Sequence, residues 1–156
     1  MIPNATKRKL LDGEIDLTND TVKVALLKAT TEYSPDPDSH EFVSDILDGG
    51  TTGEEFDDTN YSRLTLANQA VSQDDADDEG VFDADDLTFP DLGSSTGGQT
   101  IEAVLLYKQV GADDTTPEDD PVIRVIDDNE SDQLEQQTNG GDINLSWATE
   151  GIVNLQ

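Results

Sequence analysis

The sequence contains no cysteine, which excludes a disulfide framework and any thiolate metal site. Positive charge is scarce: 8 Lys and Arg stand against 36 Asp and Glu, for a formal net charge of -28 over 156 residues. Long hydrophobic runs are also missing, and none approaches the roughly 20 residues of a membrane span. The chain opens Met1-Ile2-Pro3-Asn4 and passes straight into a polar segment, so no secretory leader is expected and synthesis in a host cytoplasm is. A surface this acidic argues against nucleic acid as a partner.

Charge of one sign works against compactness at ordinary ionic strength. Molar salt removes most of that repulsion, because the Debye length falls to roughly 3 Å at 1 M. The composition therefore points to a protein that works in brine. Most of the acids are Asp and 5 of the 8 basic residues are Lys, which suits a hydrated anionic shell. Disorder is the rival reading of high charge with low hydropathy. Against it, 15 Leu, 8 Ile, 10 Val and 4 Phe make 37 residues, about 24% of the chain and above the roughly 20% that marks disorder. These residues also cluster in strand-length groups, which favours a folded domain with a small core.

The segment 5–12 reads as a short helix, with Asn4 or Thr6 as its cap and Gly13 supplying the left-handed residue that ends it. Residues 22–29 read as a strand with Val22, Val24 and Leu26 on one face and Ala25 and Leu27 on the other. Apolar residues on both faces mark it as buried. Further strands are expected near 62–67, 69–73, 80–83, 87–89, 101–110, 121–126, 142–148 and 152–155. The strongest is 101–110, with Ala103 to Tyr107 as its apolar centre. Residues 41–47 fit a short strand or a turn of helix. Eight to ten short strands separated by turn signals predict a mainly β, single domain over 1–156, a β-sandwich or jelly roll with a short N-terminal helix.

Catalytic candidates are few. The single histidine, His40, lies in a polar segment and is expected to be solvated. No nucleophile–base–orienter set can be assembled around it, so no enzyme activity is expected. There is no GxxxxGK[ST] or GxGxxG sequence, and Gly97-Gly98-Gln99 reads as a turn. Residues 75–86 echo an EF-hand loop: Asp75, Asp77, Glu79, Asp83 and Asp86 supply oxygens at positions 1, 3, 5, 9 and 12, with Gly80 at position 6. Position 12 is Asp rather than the bidentate Glu, and neither flank reads as helix. A solvated acidic turn is therefore the expectation, with weak Ca²⁺ or Mg²⁺ binding as the alternative and no other cofactor. Asn-x-Ser/Thr sequons occur at Asn4, Asn19, Asn60, Asn129 and Asn144, of which Asn144 falls in an expected strand.

Lys7-Arg8-Lys9 is the one cluster of basic residues. It reads either as a solvated helix face balancing Asp12 and Glu14, or as a docking foot in which Lys7, Arg8 and Lys9 meet an acidic partner while Leu10 and Leu11 add apolar area.

The order of segments resembles a family of small virion structural proteins of tailed phages and archaeal tailed viruses. The likeness begins at residues 9–17 and 21–27, continues through 33–35, 38–42 and 82–89, and ends with 103–108, 143–147 and 150–152. The acidic stretch 113–120 departs from it. The resemblance implies a place on the virus particle. The expected role is a cement or turret subunit on the capsid surface, a homo-oligomer bound to the major capsid protein or other virion proteins. A tail or baseplate component is the first alternative. A cellular carbohydrate- or cation-binding β module is the alternative of another class.

With -28 on a small core, circular dichroism should show the β signal fading as KCl is lowered from about 3 M to about 0.1 M. Equal stability at both concentrations would contradict the halophilic reading.

Overall fold

The computed structural model describes residues 1–29, 33–48, 52–58, 60–93, 98–127 and 134–155. In chain order the elements are α1 (Asn4–Asp12), β1 (Val22–Lys28), α2 (Val43–Ile46), β2 (Leu64–Thr65), β3 (Ala70–Asp74) and β4 (Glu79–Asp83). They are followed by β5 (Leu87–Phe89), β6 (Thr100–Lys108), β7 (Val122–Asp127), β8 (Gln136–Gln137), β9 (Ile143–Leu145) and β10 (Val153–Leu155). The mainly β expectation is borne out, and every strand pair is antiparallel.

The centre is the pairing of β1 with β6, in register from Val22↔Lys108 to Leu27↔Ala103. β2 and β7 flank this pair, and β8 joins the end of β6. Because side chains alternate across a strand, Val24, Leu26, Val104 and Leu106 share one face, and Ala25, Leu27, Ala103 and Leu105 share the other. All eight are buried. Each face therefore needs a cover. The first is packed by Phe82 and Val153 from the sheet β10-β4-β3 and by Leu87 and Phe89 from the sheet β5-β9. The second is packed by Tyr33 and by Val43 and Ile46 of α2. Sheet lies on sheet over one face, and a short helix with its loop lies over the other.

One glycine is required by this layering. Gly151 has φ +88, and a Cβ there would meet the Val81 side chain and, at 2.9 Å, the Phe82 carbonyl. Residue 152 can then donate its N–H to that same carbonyl at 2.7 Å, which starts β10 beside β4.

A polar seam ties Arg63 and Glu55 to the central strands β1 and β6. Arg63 grips Glu55 with two parallel hydrogen bonds, Nε to Oε1 and Nη2 to Oε2, both 2.7 Å. Its Nη1 donates to the Tyr107 hydroxyl at 3.0 Å, and that hydroxyl donates to Asp114 at 2.6 Å. Lys23 Nζ donates to the other Asp114 oxygen at 2.5 Å. The Tyr61 hydroxyl donates to Glu55 and accepts the N–H of Leu26. Burial, then contact with a carboxylate, pushes both phenols up from their ordinary values. The stretch 113–120 is thus fastened to the fold. Asp114 holds the seam, Pro117 O accepts from Ser44 N, and Asp120 is fully buried with Oδ1 accepting from Val110 N at 2.7 Å. Burial raises the Asp120 carboxyl.

Asp114 behaves in the opposite sense. Burial alone would raise it, but hydrogen bonds from Lys23 and Tyr107, with the charges of Lys23 and Arg63, outweigh burial and hold it below the ordinary value. Its contribution to stability is therefore present above the unfolded carboxylate value of about 3.9 and is lost as pH falls through the lower folded value. Asp114→Asn should cost about 1–2 kcal/mol at neutral pH. The stability curves of the two proteins should converge below about pH 4. Denaturant titrations at fixed molar salt across a pH series read this, and a gap that persists unchanged into acid would contradict it.

Candidate docking surface

The helix α1 follows Pro3, whose φ of -59 and ψ of 149 set the entry, with no side chain capping the first turn. The expected caps are otherwise engaged. Asn4 is the first helical residue and donates to Asp38 at 2.7 Å, and the Thr6 hydroxyl donates to the Val122 carbonyl. The end is as expected: Gly13 takes φ 72, and its N–H reaches the Leu10 carbonyl.

An α-helix advances 100° per residue, and this divides the basic triad. Thr6 and Lys9 face inward and are buried. Lys9 Nζ pairs with Glu41 at 2.9 Å and lies 4.6 Å above the Phe42 ring. Leu10 packs half-buried against the core. Arg8 is engaged by its own helix end, with Nη1 2.9 Å from Asp12 and 3.1 Å from Glu14, and those carboxylates raise its pKa. Of the five residues, Lys7, Arg8 and Leu11 face outward, and Leu11 is 90% exposed. Three consecutive basic residues therefore do not form one patch. Lys9 belongs to the fold, Arg8 is shared with its neighbours, and Lys7 remains at the rim.

Lys7 borders an open hollow of about 430 Å³, together with Arg124, Met1, Ile2, Glu150 and Asn154. Arg124 comes from β7 and donates through Nη1 to the Ile152 carbonyl. Two of the eight basic side chains thus converge here from distant parts of the sequence. No sequence signal joined Arg124 to Lys7, because 117 positions separate them and the meeting depends on tertiary packing.

The acidic segment 75–86 takes a form that removes its likeness to an EF-hand. It is the β3–β4 hairpin, with 75–78 as its turn and Glu79 to Asp83 running along β4. Four residues of strand separate Glu79 from Asp83 by about 13 Å, whereas Ca²⁺ ligands lie at about 2.4 Å from one ion. Glu79 instead accepts from Asn154 at 2.8 Å, and Asp86 accepts from Trp147 N at 3.0 Å. Asp75 accepts from the Gln73 amide at 2.8 Å, and Asp77 sits on the turn. Among the described residues, no group of three His, Cys, Asp or Glu could hold a metal ion.

His40 corrects another expectation. It is 6% exposed rather than solvated. Its Nδ1 accepts the N–H of Asp36 at 3.3 Å and lies 3.0 Å from the Tyr33 hydroxyl. A backbone N–H can only donate, so Nδ1 is the acceptor and the hydroxyl donates to it as well. The ring stitches 33–40 into the layer over the second core face. Trp147 spends its indole N–H on the Asp85 carbonyl at 3.0 Å. Asn144, the sequon within β9, pairs across to Thr88 through its side chain at 2.8 Å. Asn129 and Gly97 lie outside the described residues.

Comparison with protein-family models, curated proteins and solved structures gives no match.

The two sides of α1 should respond differently to truncation. Lys9→Ala should cost about 1–2 kcal/mol by removing an ion pair and a ring contact. Leu11→Ala should stay within about 0.5 kcal/mol. Denaturant midpoints measured in molar KCl give both values, and equal losses would contradict this assignment of faces.

Proposed function

We propose that this chain is a structural subunit of a virus particle in brine, seated on the outer head surface as a cement or turret piece. It acts by binding and not by chemistry. The observation that carries the reading is the arrangement of α1. This helix is anchored by Thr6, Lys9 and Leu10, yet it presents Leu11 almost fully to solvent beside Lys7 and Arg8. A large apolar side chain held out by a rigid mount suits insertion into a partner, at roughly 25 cal/mol for each Å² buried. The order of the sequence segments, which resembles small virion proteins of tailed viruses, and the charge of -28 support the same conclusion.

The partner is a neighbouring virion protein, foremost the major capsid protein. In molar salt the Debye length is near 3 Å, so charges act only at contact. Burial of Leu11 then supplies most of the attraction. Lys7 and Arg124, bordering one hollow, set orientation against a carboxylate of the acidic partner. Many copies on one particle convert weak single contacts into firm attachment.

The test is a Leu11→Asp, Lys7→Glu double variant, both changes lying on the exposed side of the helix. Its particle loading, measured by quantitative mass spectrometry of purified virions, should fall by roughly tenfold or more. Normal loading by a folded variant would overturn the proposed seat. Immunogold labelling of particles separates the remaining placements: label on heads supports this reading. Label on tails, or protein found only in the uninfected host, would overturn it.

A further inference from the structure

We propose that β3 is a self-assembly edge, across which β3 of one copy pairs antiparallel with β3 of a second about a two-fold axis. This goes beyond the particle reading and does not depend on it.

In the sheet β10-β4-β3, β3 lies at the outside, and among the described residues its only strand partner is β4. Residues 70–73 are exposed on both faces of the strand, and Val71 is 56% exposed. Open edges are normally guarded by a proline, a lysine, a bulge or a covering segment. Among the described residues this one carries no such guard. Ala70-Val71-Ser72-Gln73-Asp74 contains neither residue, and its register with β4 runs unbroken from Ala70↔Asp83 to Asp74↔Glu79.

Charge identifies the occupant. Any surface on which two copies of this chain meet must avoid placing carboxylates opposite one another, since each copy carries -28. Residues 64–73 contain no ionisable side chain. A two-fold axis through Ser72 sets Ser72 opposite Ser72, Val71 opposite Gln73 and Ala70 opposite Asp74, so no acid faces an acid. The acidic turns 75–78 then point to opposite ends. Within the paired strands the two Asp74 residues are offset by four positions, about 14 Å at 3.4 Å per residue. That exceeds the Debye length even at physiological ionic strength, about 8 Å.

The apolar rows also continue across such an axis. Val71, Phe82 and Val153 are in register on one face, and Leu155 and Gly80 are in register with Gln73. Pairing Val71 with Gln73 of the second copy joins these rows. Val71 then gains neighbours that it lacks in the single chain. The opposite edge, β10, borders the Lys7 and Arg124 hollow through Asn154. Self-pairing at β3 therefore leaves the α1 face open. One five-residue ladder is small beside the roughly 1,600 Å² of a standard interface, so the dimer is expected at a Kd on the order of 10–100 µM.

The absence of cysteine allows a clean test on the intact chain in molar KCl. Sedimentation equilibrium at protein concentrations above that Kd should show a monomer–dimer equilibrium. Val71→Lys should abolish it, and Leu11→Lys should leave it intact. Ser72→Cys should cross-link to a second copy on oxidation, since directly opposed residues have Cα atoms about 4.5–5.5 Å apart, within disulfide reach. Val71→Cys should cross-link roughly tenfold more slowly, being offset from its own counterpart by two residues. A monomer at all concentrations, a dimer that survives Val71→Lys, or equal cross-linking of the two cysteine variants would overturn the proposal.

Discussion

Everything in this fold depends on the antiparallel pairing of β1 with β6. Both strands are apolar on both faces, so the pair cannot lie at a surface without exposing one row of Val, Leu or Ala. A two-faced strand pair demands three layers. The chain supplies the outer layers economically. Small sheets built from short strands cover one side, and a single helical turn with its approach loop covers the other. The apolar content of the chain is low, and most of it is committed to these faces. This leaves the loops free to carry acid.

The second constraint is electrical. Among the described residues, Arg8, Lys9, Lys23, Lys28, Arg63 and Lys108 are tied to carboxylates by ion pairs. They cannot neutralise 36 acids, and their placement shows a different use. Lys23 and Arg63 fasten 113–120 and the segment around residue 55 to the central sheet. Lys108 and Lys9 fasten the segments that flank α1. Each cation fixes one or two carboxylates at a seam, and the excess acids are left to hydration and screening. The protein therefore has local electrostatic order on a globally repulsive surface, and molar salt relieves the second without erasing partly buried examples of the first.

Legibility in the sequence followed the range of the determining interaction. β1 and β6 were readable because a continuous apolar run states burial on both faces without reference to a partner. The end of α1 was readable because Gly13 is a local signal. The strand β8, Gln136–Gln137, carries no apolar signal and exists only because β6 offers it an edge. His40 looked solvated because its neighbours are polar, yet Tyr33 and the backbone of Asp36 enclose it. Asp114 and Asp120 fall in the acidic stretch 113–120, and their partners Lys23, Arg63 and Val110 were not inferable from spacing. The basic triad misled for a simpler reason: adjacency in sequence is not adjacency on a helix, and the 100° step turned Lys9 toward Phe42 while leaving Lys7 outside.

High salt also changes what recognition can rest on. When the Debye length is near 3 Å, a charged patch cannot steer a partner from a distance, and an ion pair counts only once its members touch. Contacts that do not depend on charge, namely buried apolar area and backbone hydrogen bonds, keep their strength; apolar burial even gains where the salt is excluded from protein surfaces. On a surface dense with aspartate, the informative places are therefore the exceptions. A leucine held out by an anchored helix and an uncharged strand with an open edge are two such places. The first belongs to the helix whose Lys7 borders β10 through the hollow and the second is β3, the other edge of the small sheet β10-β4-β3, so the two proposed contacts do not compete.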